Sequence, residues 1–215
     1  MAQADWETRP ITFDTTGFEP LDGTRWFDPH TRDVVVLGVH EALPRSTHWL
    51  YEIEVLRREL AHTHAARPVP GPATGLDPRP TARLLEADAV VLDGCLALYT
   101  LVAEKLPRSA TGRLFRASFV LAKKDRTAVL TGQFEEWEIS GVRESLVSMK
   151  TGGPDRRRGG HPYDPGLPYE PSDDPAWDEQ FPRHPLTKAR AWARTVRESA
   201  AVAREFKALP AFRTR

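Results

Sequence analysis

Arg83-Leu84-Leu85-Glu86-Ala87-Asp88-Ala89-Val90-Val91-Leu92-Asp93-Gly94-Cys95-Leu96-Ala97-Leu98-Tyr99-Thr100-Leu101-Val102-Ala103-Glu104-Lys105-Leu106 is the stretch on which the fold turns. Two apolar runs, Arg83 to Leu92 and Cys95 to Leu106, are separated by the dipeptide Asp93-Gly94. Asp and Gly tolerate the positive φ that a two-residue primed turn demands, so the spacing predicts a tight antiparallel hairpin. The pattern continues downstream. Leu114 to Ala122 and Ala128 to Ile139 are β-rich runs joined by the polar turn Lys123-Lys124-Asp125-Arg126, which predicts four consecutive antiparallel strands.

Upstream of the hairpin, Ile11 to Thr15 and Asp33 to His40, with Val34, Val35, Val36 and Leu37, read as early strands. From Thr47 to Thr63, Leu50, Ile53, Leu56 and Leu60 recur at helical spacing behind Ser46 as N-cap, which predicts an amphipathic helix laid on the sheet. Pro68, Pro70, Pro72, Pro78 and Pro80, with Gly71 and Gly75, then exclude helix and central strand alike. Downstream, Gly141 to Val147 reads as a strand-to-helix transition. From Thr151 to Pro185 the chain mixes glycine, proline and charge, and Leu186 to Phe206 carries Leu186, Ala189, Trp192, Val196 and Ala200 along one helical stripe. The expected fold is α+β, an antiparallel meander sheet flanked by helices, with a long irregular tail and a C-terminal helix. Residues 1–150 form a single sandwich domain in this reading, 151–185 an irregular acidic-aromatic linker, and 186–215 a helix packed back on the domain.

Thirty basic residues balance thirty acidic ones in a chain of 215. No global positive field draws it to nucleic acid or to an anionic membrane. The polar start, Met1 to Pro10, lacks the apolar segment of a secretory signal, and no run approaches the ~18 apolar residues that cross a bilayer. The single cysteine, Cys95, cannot form an internal disulfide, which points to a reducing compartment, the cytoplasm.

Each residue set with chemical potential has a competing structural explanation. His62 and His64 are two apart, and on a helix their side chains diverge by about 200°, which sets them apart for one metal ion and makes a solvated helix end the expectation, whereas an extended chain from Ala61 would put both on one side and leave a metal pair as the alternative. Cys95 enters an apolar strand, where a lone cysteine is a small core residue rather than a nucleophile. Glu136 and Glu138 fall on one strand face opposite Trp137, and their expected role is a solvated sheet face open to a basic partner. Arg143 and Glu144 sit at the sheet-to-helix corner as an expected structural ion pair, with Arg143 also able to grip a carboxylate or phosphate. Arg156-Arg157-Arg158 is a short basic run without interleaved aromatics, too little for nucleic acid. Between Tyr169 and Phe181, Glu170, Asp173, Asp174, Asp178 and Glu179 surround Trp177 and Phe181. Those aromatics either staple the tail to the domain or dock a partner protein. No phosphate loop, nucleophile elbow, His-Glu-x-x-His or cysteine pair is present, so no catalytic residue, cofactor or metal is expected.

The order of hairpin at Leu92-Asp93-Gly94, apolar meander, Glu-rich last strand and Gly141-Val142-Arg143-Glu144 resembles the PsbP/LpqN-like α/β/α sandwich group. The tail Asp173-Asp174-Pro175-Ala176-Trp177-Asp178-Glu179-Gln180-Phe181-Pro182-Arg183-His184-Pro185-Leu186-Thr187-Lys188-Ala189-Arg190 resembles that of an actinobacterial branch of it. The resemblance implies proteins that bind other proteins as accessory factors or chaperones, and it carries no catalytic residue across.

The functional expectation is a non-catalytic protein-binding module, a chaperone, adaptor or immunity-type accessory protein. Its candidate contact residues are Trp177, Phe181, Asp173, Asp174, Glu136, Glu138 and Arg143. Its partner would be another protein, with neither nucleic acid nor membrane insertion involved. Two alternatives are a small enzyme or ligand-binding protein using a sheet–helix cleft near Arg143 and Glu136 or Glu138, and a scaffold component that assembles through strand edges.

Overall fold

The computed structural model describes residues 6–41, 50–65, 82–106, 112–137, 140–152, 160–167 and 169–212. The Ser46 cap, the proline-rich stretch, Glu138 and Arg156-Arg157-Arg158 lie outside them. The hairpin forms as the sequence predicts. Strands β5 (Ala82–Leu92) and β6 (Cys95–Lys105) pair with Leu92 opposite Cys95. Asp93 and Gly94 take φ of 45° and 78°, the two positive values of a primed turn. β7 (Arg113–Ala122) and β8 (Thr127–Glu135) complete the meander.

β4 (Val34–His40) returns to pair antiparallel with β8. Beyond it lie β3 (Arg25–Phe27) and β2 (Glu19–Pro20), so that one seven-stranded sheet runs β2-β3-β4-β8-β7-β6-β5. The strands β2 and β3 are too short to show a period in the sequence. β1 is only Ile11–Thr12, shorter than the expected Ile11 to Thr15, and it leaves the sheet to pair with β9 (Ala201–Val202).

Helices cover both faces, which makes the protein an α+β sandwich of three layers. On one face α1 (Ile53–Ala65), led in by a 3₁₀ turn at Leu50–Glu52, buries Leu50, Leu56 and Ala61 against Leu98, Val102 and Leu84. On the other, α3 (Pro185–Ser199) buries Leu186, Ala189, Trp192, Ala193 and Val196 against Tyr99, Leu101, Phe115, Phe119, Leu130 and Phe134. β6 is covered on both sides, which is why its sequence reads as a nearly unbroken apolar run. α2 (Val142–Thr151) follows the meander.

The C-terminal helix is shorter than its apolar stripe predicts. It ends at Ser199, Ala200 turns extended at ψ 133°, β9 pairs with β1, and a short α4 (Arg204–Ala208) follows. Helix propensity in this alanine-rich stretch yields to a tertiary pairing.

Where α3 crosses the sheet, Gly132 of β8 makes the room. A Cβ there would lie 2.8 Å from the Phe134 ring and 2.9 Å from Trp192. Gly132→Ala is therefore expected to lower the unfolding free energy by about 1–3 kcal/mol through overpacking. Urea unfolding would show it as a lower midpoint at unchanged slope, and an unchanged midpoint would contradict this packing.

Candidate interaction surface

The acidic-aromatic tail carries four carboxylates from Glu170 to Asp178 and no lysine or arginine between Tyr169 and Pro182. Its countercharges come from far away in sequence. The tail runs as two 3₁₀ turns, Pro171–Asp173 and Pro175–Gln180, laid over the start of α2 and the face of α3. Asp178 Oδ1 accepts from Arg143 of α2 and Arg190 of α3, both at 2.9 Å, and from the Thr187 hydroxyl at 3.2 Å. Arg143 has no exposed surface. Its other donors reach the carbonyls of Ser172 (2.7 Å) and Asp174 (3.0 Å). Arg190 also holds Glu86 (2.5 Å) and the carbonyl of Asp173 (2.6 Å). Burial works against the charge on Arg190, but Glu86 and Asp178 hold its pKa above the ordinary arginine value.

A second tier extends the network. Arg83 of β5 bonds Glu170 and Asp173, each at 2.7 Å. Arg113 of β7 meets Glu170 at 2.8 Å and Glu144 at 3.2 Å. Burial of Arg113 is likewise outweighed by Glu170, Glu144 and Asp173, which raise its pKa. Tyr169 lies alongside, and burial together with Asp174 and Asp173 pushes its hydroxyl up to about 12.

Several residues read as contact candidates therefore face inward. β8 buries Ala128, Leu130, Gly132 and Phe134, so Glu136, two residues past Phe134, continues the buried face instead of the solvated one expected of it, and Trp137 takes the exposed side. The Glu136 carboxylate is buried, accepting from the Arg113 N–H at 3.0 Å and meeting His184 at 3.1 Å. Asp173 is buried against Arg83, and Asp174 caps the second 3₁₀ turn by accepting from the Ala176 N–H. Arg143 and Glu144 do not pair with each other, because neighbours on a helix point about 100° apart. Each takes a distant partner instead. Trp177 and Phe181 are half-buried, with Lys150 Nζ 5.4 Å from the Trp177 ring and the Arg143 guanidinium 5.7 Å from the Phe181 ring. Neither Arg143 nor Glu136 opens on a cleft. Cys95 is buried, and His62 bonds Asp164 at 2.8 Å.

Glu136, Glu144 and His184 bring ligand-type atoms within 4.8 Å of one another, but the ring chemistry opposes a cation there. His184 Nδ1 accepts from the Leu186 N–H at 3.1 Å, so Nε2 carries the proton and donates to Glu136. An imidazole so engaged has no second lone pair for a metal. His161-Pro162-Tyr163 repeats the device: Tyr163 N–H donates to His161 Nδ1 at 3.1 Å, and Nε2 donates to the Leu84 carbonyl at 2.7 Å. Both histidines clip tail segments to the sheet. A cavity of about 250 Å³ under the His161 turn is lined by Arg83, Glu86, Tyr163, Tyr169, Asp173 and Arg190. Its charges are already spent on one another.

What remains open is the far side of α2. With Arg143 and Val147 buried, Val142, Leu146 and Met149, spaced i, i+4, i+7, face outward, and Met149 is 78% exposed. Trp177 under Lys150 borders this stripe through the α2 residue it carries. Just before α2, Trp137 is 53% exposed, with the Arg32 guanidinium 5.0 Å from its ring. The sequence reading missed this surface because it looked for contacts among charges. The signal was three apolar residues on the face opposite an arginine.

No family model matches the chain, and no curated protein matches it. Among solved structures, the Saccharomyces cerevisiae Ran-binding protein Mog1p aligns over 90% of both chains at 10% identity with a TM-score of 0.44, and a point mutant of Mog1 aligns with the same figures.

The network makes a stability prediction. Removing one partner of a buried ion pair costs about 3–5 kcal/mol, so Arg143→Met should lower the unfolding free energy by about that much. Exposed Arg183→Met should stay within about 0.5 kcal/mol. Equal effects in urea unfolding would contradict the burial of Arg143.

Proposed function

We propose that this protein is a non-catalytic protein-binding module whose contact face is the outer side of α2. One observation carries the proposal: α2 is packed with its polarity reversed, a fully buried arginine turned inward and an apolar stripe turned out. Local patterning that contradicts the packing marks a functional surface more often than an error of folding. Burying Val142, Leu146 and Met149 in a partner would repay their exposure at roughly 25 cal/mol per Å², and aromatics flanked by cations are the residues that dominate protein interfaces. Trp177 keeps its place as a contact residue, whereas Phe181 belongs to the lock under Arg143.

The helix–sheet–helix layering and the Asp178 to Leu186 tail support kinship with the PsbP/LpqN-like group as part of this proposal. A role as a chaperone or adaptor in the cytoplasm is the finer reading, supported by the single cysteine. No helix among the described residues is long and apolar enough to cross a membrane.

The test is differential capture. Wild-type protein, Leu146→Asp and Met149→Asp would be used as bait in parallel, with folding of each verified by circular dichroism. The proposal expects one defined protein retained by the wild type and lost, at least about ten-fold, with both variants. Equal recovery with all three baits would refute it.

A further inference from the structure

β5 is an edge of the seven-stranded sheet, so every second residue along it turns its backbone N–H and C=O away from β6. Half of that edge is plugged. The Leu84 carbonyl accepts from His161, the Ala87 N–H donates to the Tyr163 hydroxyl at 2.8 Å, and the Ala87 carbonyl accepts from Tyr163 and from Arg57 Nε at 2.8 Å. A register shift between Leu84 and Glu86 bends the same half. Because Ala87 points outward, the alternation places the N–H and C=O of Ala89 and Val91 outward as well. Nothing among the described residues bonds them.

The open half also lacks the blocking features of the plugged one. It carries no proline or lysine, and its outward side chain Val91 is 62% exposed beside its cross-strand neighbour Leu96, 45% exposed. Leu96 and Val91 share a sheet face with half-buried Ala89.

We infer that this open edge pairs with the same edge of a second copy of the chain, antiparallel about a twofold axis at Val90. The geometry is self-complementary. Ala89 of one copy then exchanges both backbone bonds with Val91 of the other, and Val91 with Ala89, so four open donors and acceptors on each side are all satisfied by four hydrogen bonds. The register also fits the obstacle: residue 87, where the Tyr163 plug begins, falls opposite residue 93 of the other copy, where its strand ends and turns back. Val91 and Leu96 of the two copies form one apolar strip across the joint. An isologous pairing of this kind closes at two copies. The surface is separate from the α2 face.

Sedimentation velocity across a concentration series tests this on the wild type, Val91→Lys and Val91→Pro. Val91→Lys puts a charge at the joint, and Val91→Pro removes the outward N–H without touching the bonds to β6. Wild type should pass from one chain to two as concentration rises, with slowed hydrogen exchange at the Ala89 and Val91 amides. Both variants should remain single chains throughout. A wild type that stays a single chain at every concentration overturns the inference, as does a dimer that either folded variant retains or that Leu146→Asp abolishes instead.

Discussion

The carboxylate of Asp178, shared by Arg143 and Arg190, is the interaction on which the remaining architecture depends. One oxygen holds two arginines from two helices that are not otherwise neighbours in sequence. It fixes the tail over α3, and it fixes the rotation of α2 about its own axis. Buried ion pairs are weak sources of net stability but strong determinants of geometry, because each alternative leaves a charge uncompensated. Rotating α2 to bury Val142, Leu146 and Met149 would pull Arg143 away from Asp178 and from the carbonyls of Ser172 and Asp174. The apolar stripe faces outward because the arginine cannot.

The same logic explains the division of labour in the tail. Residues that look like a charged docking segment are its internal wiring, and the histidines of two His-Pro turns fasten it at either end. Arg83 and Arg113 draw the tail onto β5 and β7. With the charges of the tail consumed internally, apolar and backbone groups elsewhere stand open at the surface. Those are the α2 stripe and the open end of β5.

The parts of this fold that were legible in the sequence are those specified locally. Asp93-Gly94 set its hairpin through the φ tolerance of two residues, and the period-two runs after it set the meander. β2 and β3 were silent because two or three residues show no period. The last helix is shorter than its apolar stripe implies because the pairing of Ala201–Val202 with Ile11–Thr12, which stops it, spans nearly the whole chain. Glu136 defeats the reading because Trp137, the large aromatic beside it, suggests that its own side is the inward one, whereas the buried face of β8 is that of Leu130 and Phe134, which Glu136 shares. The Arg143–Glu144 pair was the avoidable error, since adjacent helical residues cannot face each other. A block of carboxylates from Glu170 to Asp178 without a local cation already implied that arginines elsewhere were reserved for it.

The reversed packing of α2 is open to one direct measurement: the rate at which dilute peroxide oxidises Met149 in the free, folded protein, followed by mass spectrometry. A surface thioether reacts about as fast as one in an unfolded peptide, whereas a packed one is shielded. The account predicts oxidation of Met149 at close to the peptide rate. Protection of several-fold in the isolated chain would mean that the stripe is buried, and that Arg143 does not set the orientation of α2.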